Sequence, residues 1–233
     1  GTETDPFVIE NWYFREPLGS NPQGHTGQLV ITNTTLPLVI RNCWFDGTPK
    51  NTVGPQNFFG LTLGDCQNIT VERCRTTRNR GFHAYNSAQI QFTGCRAWSV
   101  EFGIFVSGGH HVRATRCHVN DTIAVGVFLY NGPDMTIEDC YIHDTGREGL
   151  GTNGNAPRHV YHRNVTFNNG WNGINMEGGC DDHLTEDNLV ANTHYGILVM
   201  GKNGMVRNNR VFNCTQNGII CYHAPNARIA DNL

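Results

Sequence analysis

The stretch "VERCRTTRNRGFHAYNSAQIQFTGC", residues 71–95, begins and ends on one signal: a short apolar alternation closed by a cysteine. Between the cysteines lies "GFHAY", a strand-like piece opened by a glycine. Working outward, the closing residue recurs as Cys117 in "ATRC" and Cys140 in "IEDC". It continues as Asn164 in "YHRN", Asn188 in "TEDN", Asn209 in "VRNN" and Asn232 in "IADN". From Cys74 the steps are 21, 22, 23, 24, 24, 21 and 23 residues. The glycine recurs in parallel at Gly81, Gly103, Gly126, Gly149, Gly173, Gly196 and Gly218, each opening a short strand-like piece such as "GIFVS" or "GVFLY". Gly60 opens the same piece earlier, in "GLTLG", after the longer insert "TPKNTVGPQNFF" (48–59). Two markers keeping step at a fixed period define a repeat architecture.

A period of 21–24 residues with three short strand-like pieces is one turn of a solenoid, its strands stacking in parallel on those of the next turn. Leucine-rich repeats share the period, but their leucine pattern is missing and no segment supports a helix. The chain has 233 residues, 38% apolar and only 16% charged, which weighs against disorder. Net charge is −3 with no run of Lys or Arg, so neither nucleic acid nor an anionic membrane surface is an expected partner. No apolar run has the length of a membrane span. The Cys/Asn position points a small side chain into a tight turn, where asparagine bonds the same turn of the next coil and cysteine fills the slot as a small buried residue.

The pattern (I/V)xxNx(I/V)xx(N/D)xxxGIxV, which covers nearly the whole chain, resembles the right-handed parallel β-helix superfamily: pectate-lyase-like folds and the Asn-rich repeat modules of carbohydrate-binding and sugar-hydrolase proteins. The resemblance implies an all-β, single-stranded right-handed solenoid with an Asn/Cys ladder. It is taken as one domain over 1–233, a fragment lacking its C-terminal cap because "ARIADNL" stops in mid-coil. By analogy with that fold, the first strand follows the marker glycine, the second precedes the Cys/Asn turn and the third follows it. Alternation then points Phe82, Ile104, Val127, Leu150, Ile174, Ile197 and Ile219 inward, with Cys221 two residues after the last of these. Val71, Phe92, Ala114, Ile137, Tyr161, Thr185, Val206 and Ile229 form an inward stack on the second strand. Cysteines at the ladder position stack with parallel side chains, a poor geometry for a disulfide, and are expected as free thiols.

The outward face of the first strand is unusual for a solvated sheet. It carries His83, Tyr85, Phe105, Phe128, Tyr130, Asn153, Asn175 and Tyr222, an aromatic stripe with polar groups that reads as a sugar-binding surface. The outward face of the second strand (Glu72, Arg113, Glu138, His162, Glu186, Arg207) reads as an ordinary solvated column. In "GINMEGGCDDHL" (173–184), Glu177 faces outward while Asp181, Asp182 and His183 occupy the following turn. His159 and His183 are expected to stack on adjacent coils. Glu177, Asp181, Asp182, His183 and the nearby Arg147 are the candidate catalytic set, and Asp181 with Asp182 the candidate ligands of a metal, Ca²⁺ being the cofactor such an edge would hold. The plainer reading of that turn is strand-edge histidines and aspartates closing turns on themselves.

The resemblance implies a secreted or cell-surface protein that binds, and in the enzymes of the fold cleaves or epimerises, a polysaccharide. The catalytic signatures of mannuronan epimerases, polygalacturonases and pectate lyases are absent, so no catalytic set carries over. A non-catalytic module remains the alternative: a surface or fibre scaffold, or one similar to periplasmic copper-enzyme maturation proteins, self-associating through the aromatic face or the uncapped end.

Overall fold

A computed structural model describes residues 1–2, 4–15, 27–47 and 58–233; of the insert, residues 48–57 lie outside the described residues. The described strands form three all-parallel sheets, and no helix occurs among the described residues. The first sheet has nine strands, from Gly27–Thr32 to Ile219–Cys221. The second has ten, from Phe7–Glu10 to Arg228–Ala230, and the third nine, from Tyr13–Arg15 to Arg210–Phe212. Each coil gives one strand to each sheet, as Phe82–Tyr85, Ala88–Thr93 and Arg96–Val100 do. The chain is therefore the parallel β-helix the repeat predicts.

Register is what makes the core. Ile104 pairs with Phe82 on one side and Val127 on the other, so like positions pile into files along the axis. The first-strand file from Phe82 to Ile197 and the second-strand file from Val71 to Val206 are all but fully buried. Each large aliphatic or aromatic member contributes roughly 1.5–3 kcal/mol by leaving water. Tyr161 and Thr185 share the second-strand file as expected, and the Tyr161 hydroxyl hydrogen-bonds the inward Thr152. Cys221 and Ile229 depart from expectation: both are exposed, because they lie in the last coil and a neighbouring coil on each side is what closes off an inward position.

The turn between second and third strands explains the repeat marker. The residue just before each Cys or Asn sits in the left-handed region: Asn42, Arg73, Gly94, Arg116, Asp139, Arg163, Asp187, Asn208 and Asp231, with φ between 51° and 62°. One such residue bends the chain sharply and aims the next side chain into the coil. Asn, Asp and Gly tolerate this; the three arginines cost about 1–2 kcal/mol each. Behind that bend the Sγ of Cys74, Cys95, Cys117 and Cys140 each donates to a second-strand carbonyl of the preceding coil at 3.3–3.6 Å. The amides of Asn164, Asn188, Asn209 and Asn232 reach the equivalent carbonyls at 2.9–3.0 Å. Each asparagine Oδ1 also accepts from the main-chain N–H of the preceding turn residue, as Asn188 does from Asn164 at 2.9 Å. All nine cysteines are free thiols.

Candidate functional site

Three outward files define the outer face of the first sheet. The first, at the residue before each marker glycine, runs Arg80, Phe102, Val125, Glu148, Asn172, Tyr195. The second runs His83, Phe105, Phe128, Gly151, Asn175, Leu198, and the third Tyr85, Ser107, Tyr130, Asn153, Glu177, Met200. The aromatic stripe expected from sequence is there, but its rings are stacked on one another. Centroids of Phe59 and His83 lie 4.3 Å apart, His83 and Phe105 4.9 Å, Phe105 and Phe128 5.6 Å, all close to parallel. Phe102 stacks beside Phe105 at 5.1 Å and the Arg80 guanidinium lies over Phe59 at 4.7 Å. The one-coil repeat, close to the strand spacing, suits face-to-face rings. Within the stack the faces are spent on each other, and burial pushes the His83 imidazole down to about 4.

The stack stops at Phe128, because the next coil places Gly151 in that file. A Cβ added there would meet Phe128 Cδ2 and Val125 Cγ1 at 3.2 Å and Glu148 Cβ at 3.7 Å. The missing side chain leaves a gap in the file of outward side chains, which its neighbours close in on: the Phe128 ring, Val125 and Glu148 border it, and Gly151 itself is buried. At Gly64, by contrast, the Tyr85 ring folds over the equivalent space and fills it.

Beyond the gap the face turns polar. Glu148 is 4% exposed, and burial is the main cause holding its carboxyl above the usual range, opposed by Arg147 and reinforced by the nearby Glu177. Arg147 Nη2 approaches Glu148 Oε1 at 3.4 Å. Asn153 Nδ2 donates to Glu177 Oε2 at 3.2 Å. Asn175, 4% exposed, pairs in register with Gly151, and its Oδ1 has no hydrogen-bond partner among the described residues. Asn172 is fully buried, and neither its Oδ1 nor its Nδ2 has such a partner. On the rim, Trp171 is half exposed and packs against His194 at 5.1 Å.

The sequence-derived candidates divide on this frame. Asn175 pairs in register with Gly151, Arg147 approaches Glu148, Asn153 bonds Glu177, and Phe128 ends the ring stack at Gly151. His83 and Phe105 belong to the stack, Tyr85 is folded over Gly64, and Tyr130 and Tyr222 are exposed. Asp181 and Asp182 face the next coil: Asp181 Oδ1 accepts from the Lys202 N–H at 3.0 Å and Oδ2 pairs with Lys202 Nζ at 3.1 Å, while Asp182 Oδ1 accepts from Asn203 Nδ2 at 3.0 Å. A metal between them would have to displace Lys202. His159 and His183 stack as their spacing predicts, but both are buried. His159 hydrogen-bonds the Gly132 carbonyl at 2.8 Å and His183 that of Cys180 at 2.9 Å, and burial lowers both imidazoles. Sequence reasoning missed the break in the ring file, Asn172 and the influence of Glu177 on the Glu148 carboxyl. The available signal was "GLGTN" (149–153), the one period that puts glycine where its neighbours carry Phe or Asn.

On the second sheet, the charged column is the network of ion pairs its mixed signs suggest, including Arg113–Glu138 and Arg207–Glu186. Donor atoms of His162, Glu186 and Asp187 lie close enough for one ion, but Arg207 and Arg163 already pair with that group. No helix of the described residues is long and apolar enough to cross a membrane.

Comparison with known proteins agrees with the architecture. The chain is 25% identical over 206 residues to the uncharacterized protein YclG of Bacillus subtilis (strain 168), covering 85% of this chain and 33% of that protein. It thus spans about a third of the curated relative it matches. Among solved structures, the surface adhesin PfbA of Streptococcus pneumoniae superposes with a TM-score of 0.65 at 9% identity, covering 97% of this chain and 65% of that one. The Dettilon tailspike protein gives 0.68 at 14% (97% and 54%), and pectate lyase Pel9A gives 0.61 at 13% (97% and 71%). At these identities the likeness is one of fold. The family described as right handed beta helix region matches residues 8–158 and 102–233, and the chain belongs to that family.

Proposed function

We propose that this protein is a secreted or cell-surface β-helix that binds a polysaccharide across the outer face of its first sheet, centred on the gap over Gly151. The observation that carries the reading is the break in the ring file at Gly151: Phe128 ends the stack there, next to a buried carboxyl, a second carboxylate and amide groups without partners among the described residues. Sugar rings place their apolar C–H faces on aromatic rings and their hydroxyls on carboxylates and amides. A flat stack of edges, as on the coils before Gly151, offers no such platform. The fold supports the reading, since proteins of this architecture include a pectate lyase, a tailspike and a surface adhesin.

The same two acids suit cleavage. Burial raises the Glu148 carboxyl above the usual range, a shift in the direction that suits a general acid toward a glycosidic oxygen, with Glu177 as the second carboxyl. Affinity electrophoresis through gels cast with different polysaccharides tests binding. Retardation that Gly151→Val and Phe128→Ala both abolish is the expected result, and equal retardation of both variants would remove the site. Sugar release lost in Glu148→Gln would extend the reading to hydrolysis.

A second reading rests on the third sheet, where Tyr13, Trp44, Tyr141 and Phe212 are 38–51% exposed. This is the aromatic face free to mediate assembly, in place of the first-sheet stripe. Concentration-dependent sedimentation that Trp44→Ser and Tyr141→Ser abolish would favour it.

A further inference from the structure

We infer that the groove along the turn between second and third strands, from Trp44 to Arg96, binds a glycan carrying sulfate or phosphate esters, one tetrahedral oxyanion being held among Arg73, Arg75 and Arg96. The oxyanion rests on the groove alone, and the glycan as its carrier rests on the polysaccharide reading. The groove measures about 480 Å³, and its lining includes these three arginines, Trp44, Asn42 and Gly94 but no carboxylate. Two rows of side chains form it. Trp44, Arg75 and Arg96 pair in register at the start of the third strand, and Asn42, Arg73 and Gly94 hold the left-handed position two residues earlier. Gly94 keeps the space clear: the one atom within 4 Å of a Cβ built there is Arg73 Cγ, at 3.8 Å.

Elsewhere on the outer faces arginines pair off with acids across coils, as Arg41 does with Glu10, Arg113 with Glu138 and Arg163 with Asp139. Here Arg73 has Glu72 at 2.8 Å, whereas the side chains of Arg75 and Arg96 make no ion pair or hydrogen bond among the described residues. Like charges directly opposite on neighbouring strands are destabilising. Arg73 also sits at φ 51°, where Asn or Gly would be less strained. Three cations held together against both costs point to an anion that offsets them. The number of guanidinium forks selects that anion. One fork satisfies both oxygens of a carboxylate, whereas a sulfate or phosphate monoester presents three terminal oxygens and accepts from several arginines at once. Trp44, 38% exposed at the end of its row, offers its ring to the C–H face of the sugar that carries the ester. Arg75 and Arg96 meet only through the coil repeat, so no basic run marks the groove in the sequence.

Carboxymethyl-dextran, dextran sulfate and dextran phosphate share one backbone, and calorimetric titration of each, at one ionic strength and matched charge density, isolates the anionic group. The expectation is that one of the two ester polymers binds at least about ten-fold tighter than carboxymethyl-dextran, the tighter of them naming the ester. Arg75→Gln and Arg96→Gln should each weaken that binding at least about ten-fold. Because the two arginines repel, neither variant should lower the melting midpoint, which a merely structural role would move. Equal binding of the carboxymethyl polymer overturns the inference, and so does ester binding that both variants retain. An oligothymidylate that binds tighter than either ester polymer overturns it in favour of nucleic acid. Gly151 lies on another sheet, so affinity for neutral polysaccharide there stands or falls separately.

Discussion

The outer face of the first sheet is built twice on one backbone. On the coils carrying His83, Phe105 and Phe128 the outward residues are rings whose faces pack together, while on those carrying Gly151 and Asn175 they are a gap and a set of polar groups. Strand length and register hardly change between the two regions. The difference shows what a β-helix does with an outward file: identical spacing makes like residues satisfy one another, and one glycine is enough to break the file. The ladder changes close by, from thiols up to Cys140 to amides from Asn164 onward.

The ladder supplies the largest expected contrast. Asn188→Ala takes the side-chain partner from the buried Tyr161 carbonyl and Asn164 N–H, while the Asn164 amide keeps the Ile137 carbonyl and Asn209 Oδ1 keeps the main-chain N–H of residue 188. At ~1–3 kcal/mol per stranded group, lessened by relaxation, a loss of roughly 4 kcal/mol is expected from urea unfolding. Cys117→Ala, at the same position in the thiol half, removes a weak donor and one sulfur and is expected to cost about 1 kcal/mol. Equal losses would show that the amide file adds nothing beyond filling space.

Acid distinguishes the two regions next. His83 in the stack and His159 behind the polar region are both pushed down to about 4, mainly by burial. Between pH 6.5 and 4 the unfolded chain therefore binds protons that the folded chain refuses. The stabilisation is complete above about pH 6.5 and is lost on going down toward pH 4, by at most roughly 3 kcal/mol per histidine. His83→Phe, which continues the stack, should flatten part of that fall in a thermal-melt series and leave the His159 part. A melt independent of pH over this range would contradict the buried, neutral state of both.

Thiol reactivity follows burial. Denatured, unreduced protein should titrate as nine free cysteines, and native protein should react first at the exposed Cys221 and slowest at Cys95, Cys117 and Cys140. Smallest of all is Arg116→Gly, which removes left-handed strain at φ 53° but adds chain entropy, so the midpoint should move by no more than about 2 °C.

Most of the fold was legible because a repeat multiplies weak signals. Gly103 alone says little, but a glycine in step with a cysteine or asparagine over many coils fixes strand, turn and facing together. What was not legible depends on three-dimensional neighbours. Phe105 reads as an exposed aromatic, and only stacking shows that its faces are covered. Asp181 and Asp182 read as a dense acidic site, yet Lys202 and Asn203 one coil away take them up. Gly151 carries no chemistry of its own, so its role shows only against Phe128, Glu148 and Asn175.

Calorimetric titration of the wild type and Gly151→Val with one neutral polysaccharide that retards the protein tests the central claim most directly. The account predicts saturable binding by the wild type and at least a ten-fold weakening in the variant, measured below the melting midpoint of both, since valine also crowds Phe128 and Val125 and is expected to lower that midpoint. Equal affinity of the two proteins would contradict it.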